Sequence, residues 1–196
     1  MVANKNVIQQ STTKSTWWVL SIASLVGLLA SFVQTVERIE YAKNAKLALR
    51  CNINSVFSCS SVFDAWQSSV FGFSNSLMCI VFFAISLGAA IAALSGSSLH
   101  KNYRLILWGA SVFFLGFGAW YIWQSAYVIN ALCIFCIFCY GAVIAMNWAW
   151  LRINCPLLGG SNAAKKLQAI VSKNIDSYVW LGYAVVFAII IAWRFV

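Results

Sequence analysis

An all-α, multi-pass membrane fold is predicted: a four-helix bundle with a fifth transmembrane helix. Three observations predict it. Of 196 residues, 62% are hydrophobic and only 9% charged, whereas soluble domains carry about one quarter charged residues. Long apolar runs are continuous rather than alternating, which favours helices over barrel strands. A single proline leaves those helices uninterrupted.

Each span needs roughly 20 apolar residues to cross a bilayer. The first runs from Trp17 to Val36. It lacks a small-x-small cleavage site and is read as a retained helix rather than a secretion signal. The second runs from Leu77 to Leu94. Leu105 to Leu151 is uncharged and too long for one span; Gln124, Ser125 and Asn130 break it into two. Ser177 to Trp193 forms the fifth. The resulting organisation is a polar, flexible cytoplasmic tail over 1–16, a four-helix bundle over 17–152, a cytoplasmic loop over 153–176, and the fifth helix over 177–196. The longest loop, 37–76, exceeds a mere connector. Within it Val62, Phe63, Trp66, Val70 and Phe73 have the spacing of a short amphipathic helix lying in the membrane interface.

The net charge of +9 would suggest nucleic acid in a soluble protein. Its distribution argues otherwise. With the N-terminus cytoplasmic, Lys5, Lys14, Lys101, Arg104, Arg152, Lys165, Lys166 and Lys173 lie inside against Asp176, a net +7. Arg38, Lys43, Lys46, Arg50 and Arg194 lie outside against Glu37, Glu40 and Asp64, a net +2, and the two sides make up the +9. That is the positive-inside bias. It accounts for the basicity through the lipid bilayer alone, with no nucleic acid partner.

The chain has seven cysteines, and four of them point to chemistry. Cys51 and Cys59 flank seven residues in the outer loop, where an oxidising compartment permits disulfides. Cys133-Ile134-Phe135-Cys136 forms a C-x-x-C at the outer start of the fourth helix. Asn130 is the expected cap just before it. A helix N-terminus favours thiolate over thiol, and thiolate is the attacking species. At about 100° per residue, Cys133, Cys136 and Tyr140 share one helix face. Zinc binding by the four cysteines is the rival chemistry, but the Cys51 to Cys59 gap is untypical of a zinc knuckle, and no metal is expected. Cys79 and Cys139, inside predicted helices, read as core fillers. Cys155 lies on the cytoplasmic side and reads as incidental.

Cys51-(x7)-Cys59, Ser60-Ser61-Val62-Phe63, Ser74-Asn75-Ser76 at the mouth of the second helix, and Cys133-Ile134-Phe135-Cys136 followed by Tyr140 together resemble the vitamin K epoxide reductase family over residues 17–152. The resemblance implies a four-helix bundle around a quinone pocket near the outer face of a bacterial inner membrane. It implies that Cys133 and Cys136 are the catalytic pair, with Cys136 facing the quinone. Cys51 and Cys59 would be the shuttle pair, Cys59 meeting Cys133. Asn75 and Tyr140 would donate hydrogen bonds to the quinone oxygens, and Phe63 would cover the pocket. A membrane quinone (menaquinone or ubiquinone) would accept the electrons. The fifth helix resembles that of bacterial members, where it often leads to a thioredoxin-like domain; the sequence stops at Val196, just past that helix, so the expected partner is an extracytoplasmic thioredoxin-fold protein, either a separate chain or a domain removed from this one. A disulfide-forming protein of the DsbB type places its C-x-x-C before its second pair, the reverse of the order here. A non-enzymatic membrane scaffold would leave the cysteines unreactive.

Overall fold

The computed structural model describes residues 2–44, 49–159 and 162–196, with side chains from Lys14 onward. Lys46 and Gly160 therefore lie outside the described residues. Seven α-helices are described: α1 (Val2–Lys43), α2 (Cys59–Asp64), α3 (Asn75–Leu94), α4 (Lys101–Gln124), α5 (Ile134–Asn154), α6 (Asn162–Ser172) and α7 (Ile175–Trp193). Five stretches are long and apolar enough to cross a membrane: Lys14–Lys43, Asn75–Leu94, Lys101–Ile129, Ile134–Leu157 and Ile175–Trp193. Among the described residues the only β-type pairing is one bridge, Phe57 to Leu132. The fold is an all-α membrane bundle.

α1 packs chiefly on α3 and α5, and α4 closes the bundle against α5. Small residues make the close contact possible. Gly27 faces Phe83 so tightly that a Cβ there would lie 2.4 Å from the ring. Ser24 and Ser31, one turn to either side, are fully buried, and Ser31 Oγ donates back to the Gly27 carbonyl at 2.8 Å. Without a hydrophobic drive between helices in lipid, such small-residue faces gain dispersion contact instead. Trp17 and Trp150 meet edge to face at 5.8 Å, and Phe82 stacks on Phe114 at 4.4 Å. Ile22, Leu29 and Phe32 of α1 and Val179, Val186 and Ile189 of α7 are exposed, the side that a bilayer covers.

The fifth helix packs on the bundle. At one end Arg152 of α5 pairs with both carboxylate oxygens of Asp176 at 2.7 Å each. Trp148 Nε1 donates to Ser177 Oγ at 3.1 Å. At the other end Tyr127 donates to the Ile190 carbonyl at 2.9 Å and Arg194 to Asn130 Oδ1.

Four local expectations are corrected. The tail over 1–16 is helical from Val2 onward. α1 also continues past Val36 to Lys43, so Glu37 and Arg38 are helical rather than in the loop; loop atoms supply partners for both (below). The amphipathic helix over 62–73 is broken. α2 ends at Asp64, Ala65 is extended, and a 3₁₀ turn follows over Trp66–Ser69. Val62 and Phe63 are buried while Trp66, Val70 and Phe73 are exposed, because the chain turns there to lay Gln67 and Ser68 inward. The loop over 153–176 contains α6: helical apolar spacing in Ala164, Leu167 and Val171 outweighs the Gly-Gly punctuation before it.

Candidate active site

The four cysteines of the two pairs converge at the end of the bundle where α1 and α4 finish and α3 and α5 begin. The convergence starts in the backbone. Asn54 accepts the N–H groups of Val56 and Phe57 at 2.9 and 2.8 Å, an Asx turn. That turn sets Val56 and Ser58 beside the α4–α5 connection. Leu132 N–H donates to the Val56 carbonyl at 2.7 Å and Ser58 N–H to the Leu132 carbonyl at 3.1 Å. Cys59, next after Ser58, opens α2. Cys133, next after Leu132, is the N-cap of α5. One short pairing thus brings two cysteines 74 residues apart to 3.4 Å between sulfurs.

Cys51 and Cys59 form a disulfide, while Cys133 and Cys136 are free thiols. Cys51, Cys59 and Cys133 are almost fully buried among Leu49, Val62, Phe63, Tyr121 and Ala131. The Cys136 thiol and the backbone amides of Cys136 and Phe135 stabilise charge on Cys133 and hold its thiol below the ordinary range, against the cost of burial. Asn130 does not cap α5. It takes a left-handed conformation, φ 59°, and closes the π-helical turn Ser125–Ile129 that ends α4, a conformation asparagine tolerates.

Beyond Cys136 lies a cavity. Gln34, Ser68, Asn75, Tyr121, Cys136 and Tyr140 are among the residues around it, and its walls enclose about 550 Å³ of empty volume, including space that opens outward. Gln34 Nε2 donates to Cys136 Sγ at 3.2 Å, and Tyr121 approaches the same sulfur. Asn75 Nδ2 donates to the Gln67 carbonyl at 2.7 Å, and its buried Oδ1 has no partner among the described residues. The Tyr140 ring lies over Gly118, where a Cβ would come within 2.6 Å. Its hydroxyl bonds to that of Tyr183 on α7, and Phe187 packs on it at 4.9 Å. Arg38 fastens the segment over the cavity, donating to the Ser68 carbonyl at 3.1 Å and to Ser69 Oγ at 3.3 Å.

Of the seven residues singled out from the sequence, Cys136, Asn75 and Tyr140 line the cavity, and Cys51, Cys59 and Cys133 form the sulfur cluster beside it. Phe63 does not line it. It packs into the sulfur cluster beneath Tyr41 and under the Arg38 guanidinium, at 6.2 and 5.7 Å, because α2 ends one residue later. Gln34, Tyr121 and Tyr183 were missed. Gln34 had a signal, being a carboxamide in an otherwise apolar span. Cys79 and Cys139, expected as core fillers, do pack in and against the buried core, and both also stand in the cavity wall. For Cys139 the signal was a tandem: Cys133-Ile-Phe-Cys136-Ile-Phe-Cys139. Glu37, buried at 4% exposure, accepts the Arg50 N–H at 3.2 Å and adds negative charge beside Cys133. Among the described residues no three His, Cys, Asp or Glu side chains converge as a metal site.

The unpaired Asn75 oxygen can accept from a hydroxyl, and the Gln34 amide and the aromatic walls suit a flat molecule with polar edges. Comparison with curated proteins finds no match. The model of the vitamin K epoxide reductase family matches residues 18–151, the stretch that holds the sulfur cluster and most or all of four of the five membrane-length helices. That match spans more than half of the chain, and the protein belongs to the vitamin K epoxide reductase family.

Proposed function

We propose that this membrane oxidoreductase oxidises a thioredoxin-fold partner outside the cytoplasm and delivers the electrons to a membrane quinone, supporting disulfide formation. The observation that carries this reading is the unbroken sulfur path: Cys59 lies 3.4 Å from Cys133, and Cys136, one helical turn on, faces the cavity. A partner thiolate attacks the Cys51–Cys59 disulfide at Cys51 and releases Cys59, and the partner's second thiolate then closes the partner's own disulfide and frees Cys51. Cys59 thiolate then attacks the Cys133–Cys136 disulfide at Cys133 and releases Cys136. Cys51 resolves the Cys59–Cys133 bond, so the shuttle disulfide re-forms and both C-x-x-C thiols are left reduced. Those two thiols give two electrons and two protons to the quinone and close their disulfide again.

The surrounding residues supply the rest. Gln34 donates to Cys136, and such a donor stabilises sulfur charge in a site that excludes water. Asn75 has one N–H engaged with Gln67, so its free Oδ1 suits the hydroxyl of a departing hydroquinone. Tyr140 presents its ring to the cavity and its hydroxyl to Tyr183. Phe63 covers the sulfur cluster rather than the quinone. Cys51 is 1% exposed, so the partner gains access only when the 49–58 segment lifts from the bundle. The positive-inside bias puts this end of the bundle on the outer side, with the N-terminus in the cytoplasm.

The test is quinone reduction by purified protein in detergent with a dithiol donor. Turnover is expected to fall by at least about a hundredfold in Cys136→Ala, the scale set by loss of an essential nucleophile. Equal turnover in the variant would overturn the assignment.

A further inference from the structure

Cys136 has two cysteine neighbours at the same helical spacing, not one. Cys133 precedes it by three residues and Cys139 follows it by three. On an α-helix such a step gives a Cα separation of about 5 Å and a rotation of about 60°. A disulfide accepts Cα separations of about 4.4–6.8 Å. The two neighbours face different regions. Cys133 is buried in the outer sulfur cluster against Cys59. Cys139 lines the cavity together with Cys136 and Cys79. Its thiol donates to the Gly27 carbonyl at 3.7 Å, a weak bond for a thiol donor, which turning toward Cys136 gives up.

That division matters at one moment of the cycle. While Cys133 is joined to Cys59, Cys136 stands in the cavity without its usual partner. Building on the reading above, we propose that Cys139 is a second catalytic thiol, closing a Cys136–Cys139 disulfide when quinone is reduced with Cys133 engaged elsewhere. The balance is complete. The S–H bonds of Cys136 and Cys139 break, one S–S bond forms, and two electrons and two protons pass to the quinone, which becomes hydroquinone. When Cys133 is free again, its thiolate attacks Cys136. The Cys133–Cys136 disulfide forms and Cys139 returns to the thiol. No further oxidant or reductant is needed.

The test uses the full chain in detergent, reduced and freed of reductant, with 2,3-dimethyl-1,4-naphthoquinone, whose substituted ring resists permanent arylation. Wild type with excess dithiol first establishes that quinone is reduced at all, and no reduction there would overturn the underlying reading. Cys133→Ala is then mixed with quinone alone. Close to one hydroquinone per protein is expected, a stoichiometric burst, with peptide mass mapping showing Cys136 joined to Cys139. Cys133→Ala/Cys139→Ala is expected to give less than about a tenth of that burst. Cys133→Ala/Cys155→Ala, which loses a thiol at the far end of the bundle, is expected to keep it. If Cys133→Ala melts like wild type yet gives no burst, the proposal is overturned. A burst that survives loss of Cys139, or a Cys136–Cys79 disulfide in the mass map, overturns it as well.

Discussion

The two ends of this bundle each bury a carboxylate, and they treat it differently. Asp176, 3% exposed, is held by both oxygens in the Arg152 guanidinium, with Trp148 stacked on that same cation at 4.6 Å. Glu37, 4% exposed, accepts a backbone N–H beside Cys51 and has no ion pair among the described residues. The first arrangement is a staple. It fixes α7 to α5, and both Asp176 carboxylate oxygens are paired in it. The second sits where sulfur chemistry changes charge, beside a thiol whose ionisation it opposes. One end is built to stay closed, and at the other an exchangeable disulfide stands among the contacts that close it.

The sharpest way to break the contrast is to remove the staple. Arg152→Leu strands a buried Asp176, and an orphaned partner of this kind costs about 3–5 kcal/mol. Thermal unfolding in detergent is expected to show that loss, while the quinone KM of the protein that remains folded stays within about twofold, because among the described residues none of α7 lines the cavity and Tyr183 and Phe187 meet it through Tyr140. Gly118→Ala acts in the middle of the molecule. Its methyl group meets the Tyr140 ring at 2.6 Å, so the ring must shift. Overpacking of this kind costs about 1–3 kcal/mol, and quinone KM is expected to rise along with the stability loss, which steady-state kinetics would show. Gly27→Ala, against Phe83 at 2.4 Å, is expected to cost about the same in stability with KM unchanged, since Gly27 is outside the cavity wall.

Glu37→Gln gives the smallest effect and the most informative one. The amide keeps an oxygen for the Arg50 N–H, so stability is expected to change by less than about 1 kcal/mol. The charge is lost, however. Glu37 raises the Cys133 thiol pKa, whereas hydrogen bonds from Cys136 and the α5 amides lower it. Without the carboxylate the thiolate is favoured further. In the wild type the hydrogen bonds from Cys136 and the α5 amides hold the Cys133 thiol below its ordinary range, and in Glu37→Gln it is expected to ionise at a lower pH still. The pH dependence of Cys133 alkylation followed by mass spectrometry would show both shifts. A midpoint that rises in the variant would contradict the sign.

Much of the fold was legible because apolar length is a property of the chain itself. Five membrane-length helices and the break near Gln124–Asn130 follow directly from it. Helix ends were not legible, because distant residues decide them. α1 continues to Lys43 since Glu37 finds the Arg50 amide and Arg38 finds the serines over the cavity, neither predictable from neighbouring sequence. Asn130 has the chemistry of a helix start and of a left-handed stop alike; the π-helical turn before it selects the stop. The cysteine pairing was legible as a pattern, but the 3.4 Å contact depends on the Val56–Leu132–Ser58 backbone pairing, which no local signal announces. Cys139 shows the same limit from the other side. A helical cysteine reads alike whether it fills a core or lines a cavity, and only the packing of α1, α3 and α4 around α5 separates the two. Tyr183 approaches Tyr140 from a helix that carries no motif at all.

The central claim is that electrons cross from the loop to the bundle between Cys59 and Cys133. Cys51→Ala tests it most directly, since it removes the thiol that would resolve the crossing. Oxidised in a glutathione buffer and mapped by mass spectrometry without reduction, this variant is expected to accumulate a Cys59–Cys133 disulfide, leaving Cys136 free to alkylate. Cys59 found instead with glutathione alone, or joined to Cys136, would contradict the account.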